Sequence, residues 1–388
     1  MKLNRFFTAL FAAVACALSA GAQGIEFMPE GSLLKDAVAK AKAEGKMVFL
    51  DCYTSWCGPC RMMATKIFPT QEVGDFMNPK FVSIKIDMEK GEGSELGKNL
   101  QINAYPTFVI FNNDGSEAAR FVGGGDVQGF IKRVNENLAD DGPAALEARF
   151  KSGDRDRQFL LDYLSYLGKV YRRQQCDVVA GVLLEGNLET FAADTTLRKV
   201  FMNHVIDPLN PAFVYVAKNR ATVEPVLGKD VYDNKIKTVL DRSARSMIDT
   251  DANGGVMLNQ KKFDDYMALI KDCNIDKAEH YRLSTLMTYA ERKQDWGTYM
   301  DLMESYLADK DLDMADMSVC SWASNIAYKC EDAQVRERMK KVAATRLDDI
   351  KSGRRAAQTF PENRQPRKMP VDILEELVKI LDGEKPNL

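Results

Sequence analysis

Five residues constrain this chain more than any others: Trp56-Cys57-Gly58-Pro59-Cys60, set between the short apolar run Met47–Tyr53 and a helical stretch containing Arg61, Met62, Met63, Ala64 and Ile67. A strand that runs into a helix with a cysteine on either side of Gly-Pro leaves few folds open. The missing N–H of Pro59 costs nothing in a first helical turn, and a thiol placed there meets unsatisfied backbone N–H groups that favour its thiolate. The two-residue spacing lets Cys60 reach back toward Cys57, so a mixed disulfide formed by the outer sulfur can be resolved from inside. Cys57 is therefore read as the attacking thiol and Cys60 as the resolving one. Two plainer readings compete. Structural zinc needs four ligands, but the chain has no second cysteine pair of this spacing, and its two histidines, His204 and His280, lie far along the sequence. A purely structural disulfide is the other, although it would not require the flanking Trp and Gly-Pro.

The surroundings of the motif read as alternating helix and strand. Leu33, Leu34, Ala37, Val38 and Ala41 recur at helical spacing between Ser32, a candidate N-cap, and Gly45, a terminator. Met47–Tyr53 and Phe81–Asp87 have the length of buried strands, which predicts a parallel βαβ core. Strands over Thr107–Asn112 and Glu117–Val122 flank Asn113-Asp114-Gly115, whose residues tolerate the positive φ of a hairpin turn. Asp126–Leu138 reads as a closing helix.

Past Asp140-Asp141-Gly142-Pro143 the pattern becomes helical. Phe159, Leu160, Tyr163, Leu164, Leu167 and Tyr171 form one stripe, and Trp296, Tyr299, Met300, Met303, Tyr306 and Leu307 form another. Asp265-Tyr266-Met267-Ala268-Leu269 is echoed by Thr298-Tyr299-Met300-Asp301-Leu302, an offset close to that of helix-pair repeats. Residues 141–388 are thus expected to be all-α, either helical-hairpin repeats or a plain bundle. Gly353–Pro370 reads as an exposed connection ahead of a last helix, Val371–Leu381.

Charge and the N-terminus narrow the setting. With 53 basic and 56 acidic residues among 388, nothing in the electrostatics suggests nucleic acid as a partner. Lys2 and Arg5 precede the apolar run Phe6–Ala15, and Ala20-Gly21-Ala22 has the small-x-small form of a cleavage site, so residues 1–22 are expected to be a removable signal peptide. Export to a periplasm or beyond follows. The alternative uses Ala13-Val14-Ala15-Cys16 as a lipoprotein box, with Cys16 lipidated. The resulting domain plan is a leader at 1–22, an α/β domain at 23–140 and the helical region at 141–388.

Taken together, Asp51, the Trp56–Cys60 motif, Ile86-Asp87, Tyr105-Pro106-Thr107 and Val122-Gly123 resemble the thioredoxin-like thiol-disulfide oxidoreductases, in flavour thioredoxin itself and the C-terminal domain of DsbD-type electron transporters. The resemblance spans residues 30–140. It implies a central mixed sheet flanked by helices, a redox-active Cys57–Cys60 disulfide, and no bound cofactor or metal. It further implies that Asp51 relays protons to the inner thiol and that Pro106 is cis and faces the disulfide, with Trp56, Gly58, Pro59, Tyr105, Pro106 and Thr107 bordering the substrate groove. Desolvation of an acid inside Val48–Tyr53 should raise its pKa, which suits that role; a solvated Asp at the strand end is the alternative. An X-Pro bond can take the cis form at modest cost and present a backbone edge for strand addition, whereas a trans turn is the plain reading. Three departures stand out: Ser83 occupies the place of the family's lysine near the acid, with Lys85 two residues on; Thr65 replaces the helix-kinking proline; and Lys90-Gly91-Glu92-Gly93-Ser94 looks longer or looser than the family's usual segment.

Of the remaining cysteines, strand alternation turns Cys52 away from Asp51 and into the core. Cys320 and Cys330 share a helical stripe but lie about 15 Å apart, too far for a disulfide. Cys176 and Cys273 could pair only through long-range folding. The function expected is an exported protein-disulfide reductase, since Gly58-Pro59 matches thioredoxin rather than the family's strong oxidants. Its substrates would be disulfide-containing proteins, and by analogy its electrons would come from a membrane donor of the DsbD or CcdA kind. A disulfide isomerase whose helical region grips clients, and a partner-binding protein using the fold as scaffold, are the alternatives.

Overall fold

The computed structural model describes residues 24–139, 142–251 and 254–384. The expected leader, its alternative lipidation site Cys16 and the pair Asp140-Asp141 lie outside the described residues. Contacts divide the chain into one unit that ends at Gly186 and another that begins at Asn187.

The first unit begins with α1 (Leu34–Glu44), β1 (Met47–Tyr53), α2 (Gly58–Met62), α3 (Gln71–Met77), β2 (Phe81–Asp87) and α4 (Gly93–Asn99). It continues with β3 (Thr107–Phe111), β4 (Glu117–Val122) and α5 (Val127–Asn137), then with α6 (Pro143–Lys151), α7 (Arg157–Lys169) and α8 (Arg173–Glu185). The sheet order is β2-β1-β3-β4. β1 runs parallel to β2 and antiparallel to β3, and β3 and β4 form the expected hairpin, with Gly115 at φ 87°.

Helix α1 ends as its sequence predicts, with Gly45 left-handed and its N–H donating to Ala41. Its start differs. The N-cap is Leu33, which offers no side-chain cap, and the N–H of Leu34 instead donates to Glu92 Oε1 at 2.8 Å. The Gly-rich segment thus returns a carboxylate to an open helix terminus, where an anion is favoured.

Because side chains alternate along a strand, β1 serves two cores. Val48, Leu50 and Cys52 pack with Ala37 and Ala41 of α1 and with Val82, Ile84, Val109 and Phe111. Phe49 enters the other core with Met63, Ile67, Phe68, Phe108, Phe121 and Phe130. Its ring stacks on Phe108 at 5.6 Å between centroids and meets Phe130 edge-on at 5.8 Å.

Helices α6–α8 belong to this unit. Arg120 of β4 is 1% exposed, and Glu117 grips it with both oxygens at 2.6 Å. The same carboxylate accepts from Arg172 NH2, in the turn between α7 and α8, at 2.9 Å. Phe159, Leu160, Tyr163, Leu164 and Leu167 are buried as the stripe predicts, but Tyr171 is not. It lies past the end of α7 at φ 58° and is exposed, because the chain has already turned toward α8.

The second unit is largely helical. Tyr299, Met300, Met303 and Tyr306 pack with Val319, Cys320, Ala323, Leu374 and Leu377, and the last helix runs Pro370–Leu381. The 33-residue echo falls on helices Gln260–Asp272 and Trp296–Ala308. A ribbon of Ile248–Thr250 and Val256–Leu258 interrupts the all-α expectation, its strands too short to show alternation. Asp316 is buried and accepts from Arg346 and Arg355, both at 2.8 Å, which ties the otherwise exposed connection after Gly353 to the helices. Among the described residues no helix is long and apolar enough to cross a membrane.

Glu117→Ala would strand Arg120 as a buried, unpaired charge. The expected cost is roughly 3 kcal/mol, read from amide hydrogen exchange across β3 and β4; a loss below about 1 kcal/mol would show that Arg120 needs no carboxylate.

Candidate active site

The end of β1 delivers the motif. The N–H of Cys57 donates to the carbonyl of Thr54 at 3.2 Å, and Cys57 then caps α2, with Pro59 in its first turn. The Sγ of Cys57 accepts the N–H of Cys60 at 3.1 Å. In this oxidised form the two sulfurs are bonded at 2.06 Å, with 5.3 Å between Cα atoms. After reduction the same N–H faces a thiolate, and such a charge-assisted hydrogen bond favours ionisation of Cys57 over Cys60.

Beyond Met62 the helix widens into a π turn over Met63–Ile67, where the N–H of Phe68 donates to the carbonyl of Met63 at 2.9 Å. Thr65 bonds back to the carbonyl of Arg61 at 2.7 Å. The irregularity that a proline would impose at position 65 is present here as an inserted residue in the hydrogen-bond ladder. It brings Met63, Ile67 and Phe68 into the Phe49 core.

The rim of the site joins three segments. Trp56 is 63% exposed; its Nε1–H lies 3.0 Å from both oxygens of Glu89, and its ring meets Tyr105 edge-on at 6.0 Å. Gly58 and Pro59 are exposed, while Tyr105 is half-buried. The Tyr105–Pro106 bond is cis, and the carbonyl of Pro106 accepts from Gly123 at 2.8 Å. Pro106 is buried. Thr107 departs from expectation: it is 2% exposed and its hydroxyl donates to Ala104 at 2.7 Å, so its side chain shapes the loop rather than bordering open space. Glu89 escaped the sequence reading. A lone acid beyond β2 carries no pattern that would single it out.

Asp51 is 4% exposed. It shares the odd-numbered face of β1 with Phe49, toward the active-site helix, and its Oδ1 has no hydrogen-bond partner. Burial pushes its carboxyl up to about 7, against the opposing pull of Lys85. Strand register explains that pull, since Lys85 lies directly beside Asp51, while Ser83 lies beside Phe49. A carboxyl that titrates near neutrality can accept a proton as readily as it gives one. The hydroxyls of Thr54 and Ser83 are likewise buried without a partner.

Cys52 turns to the α1 face, where burial holds its thiol well above the ordinary range and leaves it inert. Cys176, Cys273, Cys320 and Cys330 are free thiols. Desolvation raises each of them.

The pH dependence of stability follows from Asp51. Its folded pKa lies above its unfolded one, so the folded state binds the extra proton; that contribution is complete below about pH 4 and is lost as the pH rises through about 7. Asp51→Asn removes the titration. Relative to wild type the variant should gain stability between pH 5 and pH 8, on the order of 2–3 kcal/mol across that window, in paired urea titrations. A pH-independent difference would mean that Asp51 is solvated.

The family model described as Thioredoxin matches residues 25–136. The chain is 37% identical over 93 residues to Thioredoxin Y, chloroplastic, of Oryza sativa subsp. japonica, covering 24% of this chain and 52% of that protein. It is 27% identical over 103 residues to the Thiol:disulfide interchange protein DsbD of Pseudomonas fluorescens, covering 26% of this chain and 18% of that protein. A Bacteroides thetaiotaomicron protein solved in solution is 39% identical, with 32% of this chain and 100% of that one covered at a TM-score of 0.29. The chain spans about half the length of the first of these curated relatives. Residues 25–136 are thus a thioredoxin-like domain, and the largely helical region that follows lies outside the matched span.

Proposed function

We propose that this protein is an exported thiol-disulfide oxidoreductase that reduces or exchanges disulfides in other proteins. The observation that carries the reading is the Cys57–Cys60 pair at the start of α2, with Cys57 Sγ accepting the N–H of Cys60. The Cys57 thiolate attacks one sulfur of a substrate disulfide; that S–S bond breaks, and the departing substrate sulfur leaves as a thiolate that takes up a proton. Cys60, deprotonated with Asp51 as acceptor, then attacks Cys57 in the mixed disulfide. The second substrate thiol is released and the Cys57–Cys60 bond re-forms. Two electrons have passed from the cysteine pair to the substrate.

The Gly58-Pro59 pair between the cysteines favours the reducing direction. A membrane donor of the DsbD or CcdA kind would regenerate the dithiol, a role argued by analogy with relatives that carry this domain. The N-terminal pattern supports a periplasmic or secreted protein cleaved after Ala22, with lipid attachment at Cys16 as the alternative. We read residues 1–22 as the leader, 23–140 as the thioredoxin-like domain and 141–388 as the helical region, whose first helices α6–α8 pack in the first unit, which ends at Gly186; the echo of 265–269 in 298–302 supports helical-hairpin repeats, with a plain bundle as the alternative.

With dithiothreitol as electron source, wild type should accelerate insulin reduction, and Cys57→Ser should fall to the uncatalysed rate. Cys60→Ser should accumulate proteins in mixed disulfides on Cys57, and their identification names the substrates. A Cys57→Ser variant as active as wild type would leave the fold as a scaffold only. Equilibration of the pair with glutathione tests direction: the reductase reading requires a potential well below the roughly −120 mV of the oxidant DsbA, and a value near it overturns that direction.

A further inference from the structure

The loop that leads into Tyr105 and Pro106 is held by residues outside the matched domain. Gln101 sits at φ 54°, in a left-handed region that non-glycine residues seldom adopt without support. Its side chain provides the support: Nε2 donates to Gln174 Oε1 at 2.9 Å, and Oε1 accepts from Arg172 NH1 at 3.3 Å. Asn103 Nδ2 donates to the carbonyls of Gln101 at 2.9 Å and Tyr171 at 3.2 Å. Tyr171 is itself left-handed, at φ 58°. The Asn103 amide therefore ties together two left-handed backbones through their carbonyls, an arrangement that neither residue's own preference explains.

Arg172 is the node. Its NH2 pairs with Glu117, Glu117 holds Arg120, and Arg120 NH1 donates to the carbonyl of Leu100 at 2.9 Å. Leu100 and Gln101 are thus anchored to β4 and to the α7–α8 turn through a single network. Such fixing matters for a backbone edge, because strand pairing requires donors and acceptors held in register.

We propose that the α7–α8 turn supports the substrate loop, with Arg172 and Asn103 as positioning residues. They hold residues 101–105 so that the backbone N–H and C=O of Tyr105, just ahead of the cis Pro106 whose own carbonyl is taken by Gly123, can pair with an extended polypeptide segment carrying the target disulfide. The proposal rests on the thiol-disulfide reading and deepens it: the helical addition tunes the site for disulfides in protein chains over small disulfides, which reach the sulfurs without backbone pairing.

The test uses the full chain, dithiothreitol as reductant, and two substrates, insulin and glutathione disulfide, with turnover read as oxidised dithiothreitol after subtraction of the uncatalysed rate. In Asn103→Ala and Arg172→Lys, the ratio of kcat/KM for insulin to kcat/KM for the small disulfide should fall about fivefold, carried by KM. Lysine at 172 keeps a charge for Glu117 but cannot also reach Gln101, so its melting temperature should stay closer to wild type than that of Arg172→Ala while the insulin KM stays high. An unchanged ratio in Asn103→Ala overturns the proposal, as does an Arg172→Lys variant that restores KM together with stability, since that pattern marks a purely structural role. A wild type that turns over the small disulfide but not insulin also overturns it, leaving the thiol chemistry intact. A wild type inactive on both defeats the thiol-disulfide reading itself.

Discussion

Burial of β1 on both faces is the constraint on which the site depends. With β2 on one side and β3 on the other, the strand has no free edge, and its alternate residues enter separate cores. The Phe49 side does more than fill space. Met63, Ile67 and Phe68 of the active-site helix enter the same cluster, so the start of α2 is fixed relative to the end of β1. Close packing of this kind leaves few alternative arrangements, and the Cys57–Cys60 pair inherits its orientation from that junction.

The same strand carries Asp51 into the interior, where an ionised carboxylate is poorly solvated. Function and stability pull in opposite directions there. A surface acid would cost nothing but would stay ionised at neutral pH, whereas burial pushes this one up to about 7, which suits the proton transfer proposed for it. Lys85, adjacent through strand register, moderates the shift without cancelling it.

The helices beyond the matched domain alter what surrounds this site. Glu117 on β4 joins Arg120 to Arg172, and the turn bearing Arg172 also reaches Gln101 and Asn103. An edge strand that would otherwise need protection is thereby tied to α7 and α8. The loop before Pro106 gains partners that residues 25–136 alone do not contain.

Much of this was legible locally. The apolar run Met47–Tyr53, the Gly45 terminator, the Asn113-Asp114-Gly115 turn and the Cys-Gly-Pro-Cys helix start each express preferences of a few adjacent residues, and the family resemblance extended them to Tyr105-Pro106. The misses share one cause. Leu34 is capped by Glu92, 58 residues away; Trp56 is held by Glu89; Thr107 turns inward to Ala104; and Tyr171 leaves its stripe because the chain turns there. The sequence by itself determined where the reactive sulfurs sit and which strand buries the acid, because periodicity and backbone geometry act over a few residues. Tertiary structure alone decided that Lys85 rather than Ser83 adjoins Asp51, and which distant carboxylates and carbonyls hold the rim, because strand register and hydrogen bonds join residues whose separation along the chain carries no signal.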